Sequence, residues 1–456
     1  MVLKMLASAA PYFPTEYTVH IVATLIAVLT VRTIAQGRKT TRERDLHARV
    51  ILVTGAFSPI GLTLLESLAQ RGAHIIALTP HAVDSEQVKT YIELLRSTTA
   101  NEQIYAEQCD LASPPSIHAF ATRFTTGHAQ RLDALIFTHE YRHIGAARLL
   151  APAADPAADP AARETASLAT FLLTTLLLPA LLTAPAARDI RIITLVNRFY
   201  AAAAALPPPF APPPGASASL FLREGARALR TAAFTRHLQR VLDALPAPPV
   251  PAADGTPGPG PRPAMQKSNI VVVSVSPGLS RAETVAPLLR ADWSPTGHGF
   301  SVVGLVLYIA LYPLLLLLTK SAAASIQSVL HVLFLPTPFK AGVAEGLTGP
   351  GAEKGELLKP GALYAECAVV RVRVGAQTPG EEEEETEEKT QKEEEEKAED
   401  EKAGEGEGEA LPDDGELGGE RAGRAVWEAY EAGLKAWEAR HPPPPPPDIE
   451  GATAPA

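Results

Sequence analysis

Two stretches of this chain gather residue types that could hold a phosphate or move a proton. The first is Thr54-Gly55-Ala56-Phe57-Ser58-Pro59-Ile60-Gly61. An apolar run over 50–53 stops at it, and a helical pattern (Ile60, Leu62, Leu64, Leu65, Leu68) starts from it. Glycines between a strand and a helix permit a tight turn. The helix start offers N–H groups without partners and a positive dipole end, a setting that suits a pyrophosphate. The second stretch is Thr138-His139-Glu140-Tyr141-Arg142-His143, just past a strand-like run at 135–137. His139 and His143 there lie on the side where parallel sheets bind ligands, though ordinary loop polarity is the simpler account of both. The two cysteines, Cys109 and Cys367, exclude a disulfide scaffold and a Cys-rich zinc site, so no metal is expected.

These stretches need a scaffold, and the pattern between 49 and 375 supplies one. Short apolar runs at 50–53, 74–78, 104–106, 135–137, 190–196, 270–275 and 368–374 alternate with helical periodicity. That alternation predicts an α/β fold: a doubly wound, mostly parallel (Rossmann) sheet covered on both faces. Segments 152–163, 206–214 and 246–263 are Pro-rich and read as surface insertions. The chain of 456 residues carries a net charge of −10, yet 17 acidic residues against four lysines sit in 381–409 alone. Residues 376–416 therefore read as an acidic disordered linker, with 417–441 as an amphipathic helix and 442–456 as a Pro-rich tail. No basic patch suits a nucleic acid. The acidic tract or the helix could dock a protein partner, and that helix could equally fold back on the sheet.

Two uncharged apolar segments point to a membrane. Residues 17–31 carry no charge and precede Arg32, Arg38, Lys39, Arg42 and Arg44, against Lys4 alone before them. That asymmetry predicts an N-terminal membrane anchor within 1–48, with the body of the protein facing the cytosol. Residues 300–319 are 20 long and uncharged, long enough to span. A crossing there would put the last strand on the wrong side of the bilayer, so a helix lying in the interface is expected.

Taken in order, these landmarks resemble the short-chain dehydrogenase/reductase family, most closely its retinol-dehydrogenase-like branch, over about residues 49–375. Thr54-Gly55 with Ile60-Gly61 resembles its phosphate loop, and Cys109-Asp110-Leu111 its adenine-contacting step. The helix at 171–182, Arg191-Ile192-Ile193-Thr194, Phe234 to Leu238, and Val275-Ser276-Pro277-Gly278 resemble later segments of the same family. Thr319-Lys320-Ser321 and the run from Ala362 to Arg371 resemble the branch's C-terminal part. The resemblance implies an NAD- or NADP-dependent oxidoreductase acting on a lipophilic alcohol or ketone. It places the cofactor at Thr54, Gly55, Ser58, Ile60, Gly61, Asp110, Leu111, Pro277 and Gly278. A membrane anchor in such a protein suits the endoplasmic reticulum or a lipid droplet.

The departures bear on activity. The family works with an Asn, a Ser and a Tyr-x-x-x-Lys, in which the tyrosine is the general acid/base. Ala166 falls at the Asn position, Val196 or Asn197 at the Ser, Glu224 at the Tyr and Ala228 at the Lys. No tyrosine in the chain is followed four residues later by lysine. Asn197, Glu224 and His139 remain as substitutes, and Glu224 would need burial to act as an acid near neutral pH. Pro59 replaces the middle glycine of the phosphate loop and brings no N–H. Leu78-Thr79-Pro80-His81 carries neither the acid that marks NAD nor an arginine for NADP. The sequence thus leaves two functions: a membrane-anchored oxidoreductase, or a non-catalytic nucleotide-sensing or scaffolding protein at a membrane.

Overall fold

The computed structural model describes residues 17–127, 131–142, 150, 160–185, 188–211, 219–245, 268–291, 301–337, 356–372, 374 and 415–442. The expectations for His143, 152–159, 212–214, 246–263, 376–414 and 443–456, the acidic tract among them, fall outside these residues.

Eight strands form one sheet in the order β3-β2-β1-β4-β5-β6-β7-β8. They are β1 (Val50–Thr54), β2 (His74–Thr79), β3 (Ile104–Gln108), β4 (Ala134–Phe137), β5 (Ile190–Leu195), β6 (Ile270–Ser276), β7 (Leu363–Ala365) and β8 (Ala368–Val370). All neighbours pair in parallel except β7 with β8. Every residue of β4, β5 and β6 is buried, as a parallel sheet covered on two faces requires. One face packs α2 (Pro59–Ala69), α3 (Glu86–Thr99) and α8 (Gln327–Phe334) through Leu64, Leu68, Val88, Val329 and Val332. The other packs α4 (Pro114–Thr126), α5 (Pro160–Leu182) and α6 (Leu220–Ala244) through Phe120, Phe171, Leu173, Leu229 and Phe234. Residues 160–163 of the expected insertion belong to the first turn of α5.

The end of the sheet differs from the pattern. The sequence predicts one last strand over 368–374, but β7 lies upstream and β8 turns back antiparallel. Leu363 and Tyr364 are buried and take the place beside β6. Glu366 and Cys367, with φ of +52° and +59°, make the two-residue reversal, a turn that needs positive φ at both central positions. The far C-terminal helix, α9 (Gly419–Arg440), folds back onto α5 and α6. Trp427 sits 5.1 Å from Phe171, Tyr430 lies 5.8 Å from Phe234, and Trp437 is fully buried. Glu416 clamps its start, 2.8 Å from Lys359 and 3.3 Å from Arg236.

Two helices show apolar side chains to the outside. In α1 (Thr18–Gln36), Val19, Ile21, Val22, Leu25, Ile26 and Leu29 are all exposed. In α7 (Val302–Leu318), Val302, Val303, Val306, Ile309, Leu314 and Leu318 are exposed. α1 and α5 are each long and apolar enough to cross a membrane, but α5 is mostly buried in the core. α1 and α7 lie side by side, with Arg32 donating to the Leu316 carbonyl (2.9 Å) and Gln36 to that of Thr319 (2.9 Å). α7 is tied to one strip of chain at both ends. Ser301 donates its N–H to the Arg290 carbonyl, and Lys320 donates its own to that of Leu279.

One buried charge fastens the sheet to α8. Arg191 on β5 is 2% exposed and pairs with Asp189 at 2.9 Å. Its guanidinium also donates to the carbonyls of Val332, Leu333 and Leu335, the C-terminal groups that α8 leaves without helical partners. Removing the arginine leaves Asp189 to Arg44 alone (2.9 Å) and takes a charged donor from three buried carbonyls. Arg191→Met should therefore cost about 3–5 kcal/mol of stability in urea unfolding of the detergent-solubilised chain, and a loss under about 1 kcal/mol would contradict this role.

Candidate functional site

The sheet reverses its winding between β1 and β4, so a crevice opens at their carboxyl ends. The residues singled out by sequence gather around it: the loop after β1, the segment after β4, the turn after β6 and the start of α6. Asp110 and Leu111 lie at the β3 end. There Asp110 accepts from the Ala112 N–H (2.9 Å), and its own N–H donates to Ser116 Oγ (2.9 Å).

At the phosphate loop the turn itself is intact. Gly55 has φ +61°, and a Cβ there would stand 2.7 Å from Thr138 Oγ1 and 2.9 Å from the His139 nitrogen. A Cβ on Gly61 would meet the Gly55 carbonyl oxygen at 2.4 Å. Both glycines are thus required for packing, whatever binds. Ser58 caps α2, its Oγ accepting from Gly61 N (3.1 Å). Pro59 takes the first helical position, where a missing N–H costs the helix nothing. Leu62 N donates to the Ser58 carbonyl (2.7 Å). That leaves the N–H of Ile60, and it donates to Glu283 Oε1 at 3.1 Å, in a buried contact. Every N–H of the first turn of α2 is accounted for within the chain.

The segment after β4 closes the middle of the crevice. His139 is held at both ring nitrogens, and burial favours its neutral form. Nε2 donates to the Ala166 carbonyl (3.0 Å) and Nδ1 accepts from Thr54 Oγ1 (2.7 Å). Burial lowers its pKa, nearby Arg227 adds to this, and Glu140 opposes it. Tyr141, 2% exposed, donates its phenol to the Gly278 carbonyl (2.6 Å) and accepts from Ser280 N (3.1 Å). Burial pushes this phenol's pKa up. Tyr141 thereby engages the polar groups of the Pro277-Gly278 turn that the resemblance assigns to a cofactor. Gly278 has φ +96° and lies under the Lys320 side chain.

The positions that correspond to the family's working residues hold a buried ion cluster. Glu224 is 1% exposed and pairs with Arg227 at 2.9 Å. Asn197 donates to the Glu224 carbonyl (3.1 Å), while its Oδ1 accepts from Phe199 N to cap a 3₁₀ turn, Arg198–Ala203. Arg227 Nη2 donates to the Glu140 carbonyl (2.7 Å), and the Glu140 carboxylate accepts from Thr170, Thr231 and Ser167. Burial alone would lower the Arg227 pKa, but the carboxylates of Glu224 and Glu140 raise it. Tyr430 of α9 reaches the same cluster, its phenol pushed up to about 12 by burial. Of the sequence candidates, Asn197 and Glu224 come together and His139 sits across Glu140 from them. Arg227, a candidate phosphate ligand by sequence, is instead paired with Glu224, and Glu140, Tyr141 and Glu283 fill the crevice in a way the sequence does not predict. The signal available for them was the replacement of small residues by Glu140-Tyr141 after β4.

A nicotinamide dinucleotide does not fit these residues as they stand. Its diphosphate would compete with Glu283 for Ile60 N–H, and its nicotinamide end with Tyr141 for the turn after β6. The cluster of Glu140, Glu224 and Arg227 is committed to internal bonds, with no proton donor on a tyrosine beside a lysine. Among the described residues, no group of three or more His, Cys, Asp or Glu could hold a metal.

The neutral, enclosed His139 makes a pH prediction. A folded pKa below the ordinary 6.5 means that the unfolded chain takes up a proton that the folded chain refuses. The stabilisation is complete above pH 6.5 and is lost as pH falls, at up to about 1.4 kcal/mol per pH unit. Unfolding curves of the wild type should therefore fall more steeply below pH 6.5 than those of His139→Gln, and parallel curves would contradict the assignment.

Comparison with known proteins places this architecture. The family description that matches residues 49–194 is short chain dehydrogenase. An uncharacterized oxidoreductase of Saccharomyces cerevisiae is 29% identical over 309 residues, covering 66% of this chain and 71% of that protein. One of Schizosaccharomyces pombe is 39% identical over 117 residues, covering 24% of this chain and 31% of that protein. Human retinol dehydrogenase 11 is 35% identical over 80 residues, 18% of this chain and 24% of its own. The chain thus spans less than a third of two of these three relatives. A solved short chain dehydrogenase of Escherichia coli CFT073, complexed with NADPH, covers 61% of this chain and 99% of its own at 18% identity and a TM-score of 0.38. Residues 49–194 thus match the short-chain dehydrogenase/reductase family, and the parallel sheet and phosphate-loop turn agree with it, with shorter stretches similar to retinol dehydrogenases.

Proposed function

We propose that this chain is a membrane-anchored descendant of NAD(P)-dependent oxidoreductases that serves as a non-catalytic scaffolding protein. One observation carries the reading. The positions of the family's acid/base pair hold Glu224 and the neutral Ala228, and Glu224 is locked to Arg227 at 2.9 Å beneath Glu140. A proton donor needs a free path to substrate, and losing it alone typically costs about 10² to 10⁴ in rate. Here the whole set is replaced by a buried ion cluster held through Arg227 Nη2, while Arg227 Nε and Nη1 have no hydrogen-bond partner among the described residues.

The membrane part rests on α1 and α7. A 19-residue helix with apolar residues exposed around it is about 28 Å long, close to the thickness of a hydrocarbon core. Arg38 and Lys39 follow it on the exposed surface, which favours a cytosolic body on the endoplasmic reticulum or a lipid droplet. α7 is fastened at both ends to residues 279–290 of the sheet domain, so it suits a helix lying in the interface rather than crossing it. The acidic tract remains the natural docking tail for a basic protein partner.

A second reading keeps a specific observation in its favour. Asp110 persists, and the apolar helix α7 ends beside the Gly278 turn, where Lys320 N–H donates to the Leu279 carbonyl, as an oxidoreductase acting on a lipophilic alcohol or ketone would need. A turnover assay separates the two. The full chain in detergent or vesicles, offered retinoids, sterols and long-chain carbonyls with NADH, NADPH or their oxidised forms, should show no rate above background. Turnover that Glu224→Gln abolishes would establish the oxidoreductase reading instead.

A further inference from the structure

We propose that Glu283 is an internal anion that takes the diphosphate position of the ancestral crevice and, with Tyr141, locks the strip after β6 over it. The inference rests on the non-catalytic reading above and gives it a cause at the cofactor end of the crevice.

The geometry is specific. Glu283 follows the Gly278 turn by five residues, in a π-helical stretch, Arg281–Val285, and is 1% exposed. A buried carboxylate is costly unless it is hydrogen-bonded or paired with positive charge. The N-terminus of α2 supplies both, because Ile60 N–H points at Oε1 from 3.1 Å and the aligned peptide dipoles add partial positive charge there. Ser280 holds the acidic residue in place by accepting from Glu283 N (3.4 Å). Tyr141 then bonds the same strip at Gly278 and Ser280, with its phenol 3.3 Å from Thr284 Oγ1. The strip is therefore pinned on each side of Glu283 and at Glu283 itself.

Pro59 completes the exclusion. A diphosphate offered to this loop would find no N–H on Pro59, the Gly61 N–H on Ser58, and the Ile60 N–H behind a fixed negative charge. Two anions cannot share that single donor in a dry site without strong like-charge repulsion. Charge exclusion of this kind needs no large movement of the fold, because it acts at one buried carboxylate.

Hydrogen–deuterium exchange of the full chain in detergent tests the lock without any cofactor. The peptide segment 55–65 should exchange slowly in the wild type, and added inorganic pyrophosphate or NADPH should not change it. In Glu283→Ala it should exchange roughly tenfold faster or more, as loss of a charge-assisted bond predicts. Pyrophosphate should then slow it again. If exchange over β5 shows that the alanine variant has lost its fold, Glu283→Gln, which keeps the shape and removes the charge, replaces it with the same expected pyrophosphate response. Equal exchange of wild type and variant over 55–65 overturns the proposal, as does protection of the wild-type segment by pyrophosphate. The cofactor-free comparison is independent of turnover, so the lock can fail while the non-catalytic reading stands, and the reverse.

Discussion

Buried polar groups need partners, and at the mouth of this crevice several of them find one within the chain, although Arg227 Nε and Nη1 do not. A dinucleotide enzyme keeps a set of donors at the carboxyl edge of its sheet for a ligand to satisfy. Here several groups of that edge are taken by the chain itself. Ile60 N–H goes to Glu283, the Gly278 carbonyl to Tyr141, the Thr54 hydroxyl to His139, and Arg227 to Glu140 and Glu224. Each contact is worth only about 1 kcal/mol net, or 1.5–3 kcal/mol where a charge takes part. Breaking any of them to admit a ligand would leave a buried group unpaired, which costs more than the bond contributes.

The same closed edge touches the apolar helices. Lys320 covers Gly278, pairs with Glu366 at 3.3 Å, and sits where α7 ends. Glu366 also reaches Arg198 beside Asn197, and it packs against Gly37, the residue that ends α1. Gln36 fixes α1 to Ser321 in the same place. The outward-facing helices and the crevice therefore share one cluster of residues, and the strip carrying Glu283 is the strip to which α7 is tied. Such sharing couples the orientation of the sheet domain to that of α1 and α7.

Much of the fold was legible in the chain. The alternation of apolar runs with 3.6-residue periodicity dictates a parallel sheet, and the seven parallel strands lie where apolar patterning put them, apart from the last. That miss has a local cause. Residues 368–374 are as apolar as a strand, but the two-residue reversal at Glu366-Cys367 carries no Asn-Gly signal, so the hairpin was invisible. The site was legible only as a loss. Missing Tyr, Lys, Ser and Asn could be counted, whereas their replacements depend on contacts between residues far apart in sequence. Glu283 meets Ile60 across 223 positions, and Arg227 meets Glu140 across 87. Pro59 shows the converse. By sequence it looks like damage to a phosphate loop, and in place it is a well-formed first helical residue behind a Ser58 cap.

The central claim is that the chain's own side chains occupy the groups a dinucleotide would need. A fluorescence titration of NADH and NADPH with the purified full-length chain tests it most directly. The account predicts no saturable change in the emission of either nucleotide at concentrations found in cells. Saturable binding of one of them by the unmodified chain, at such concentrations, would contradict it.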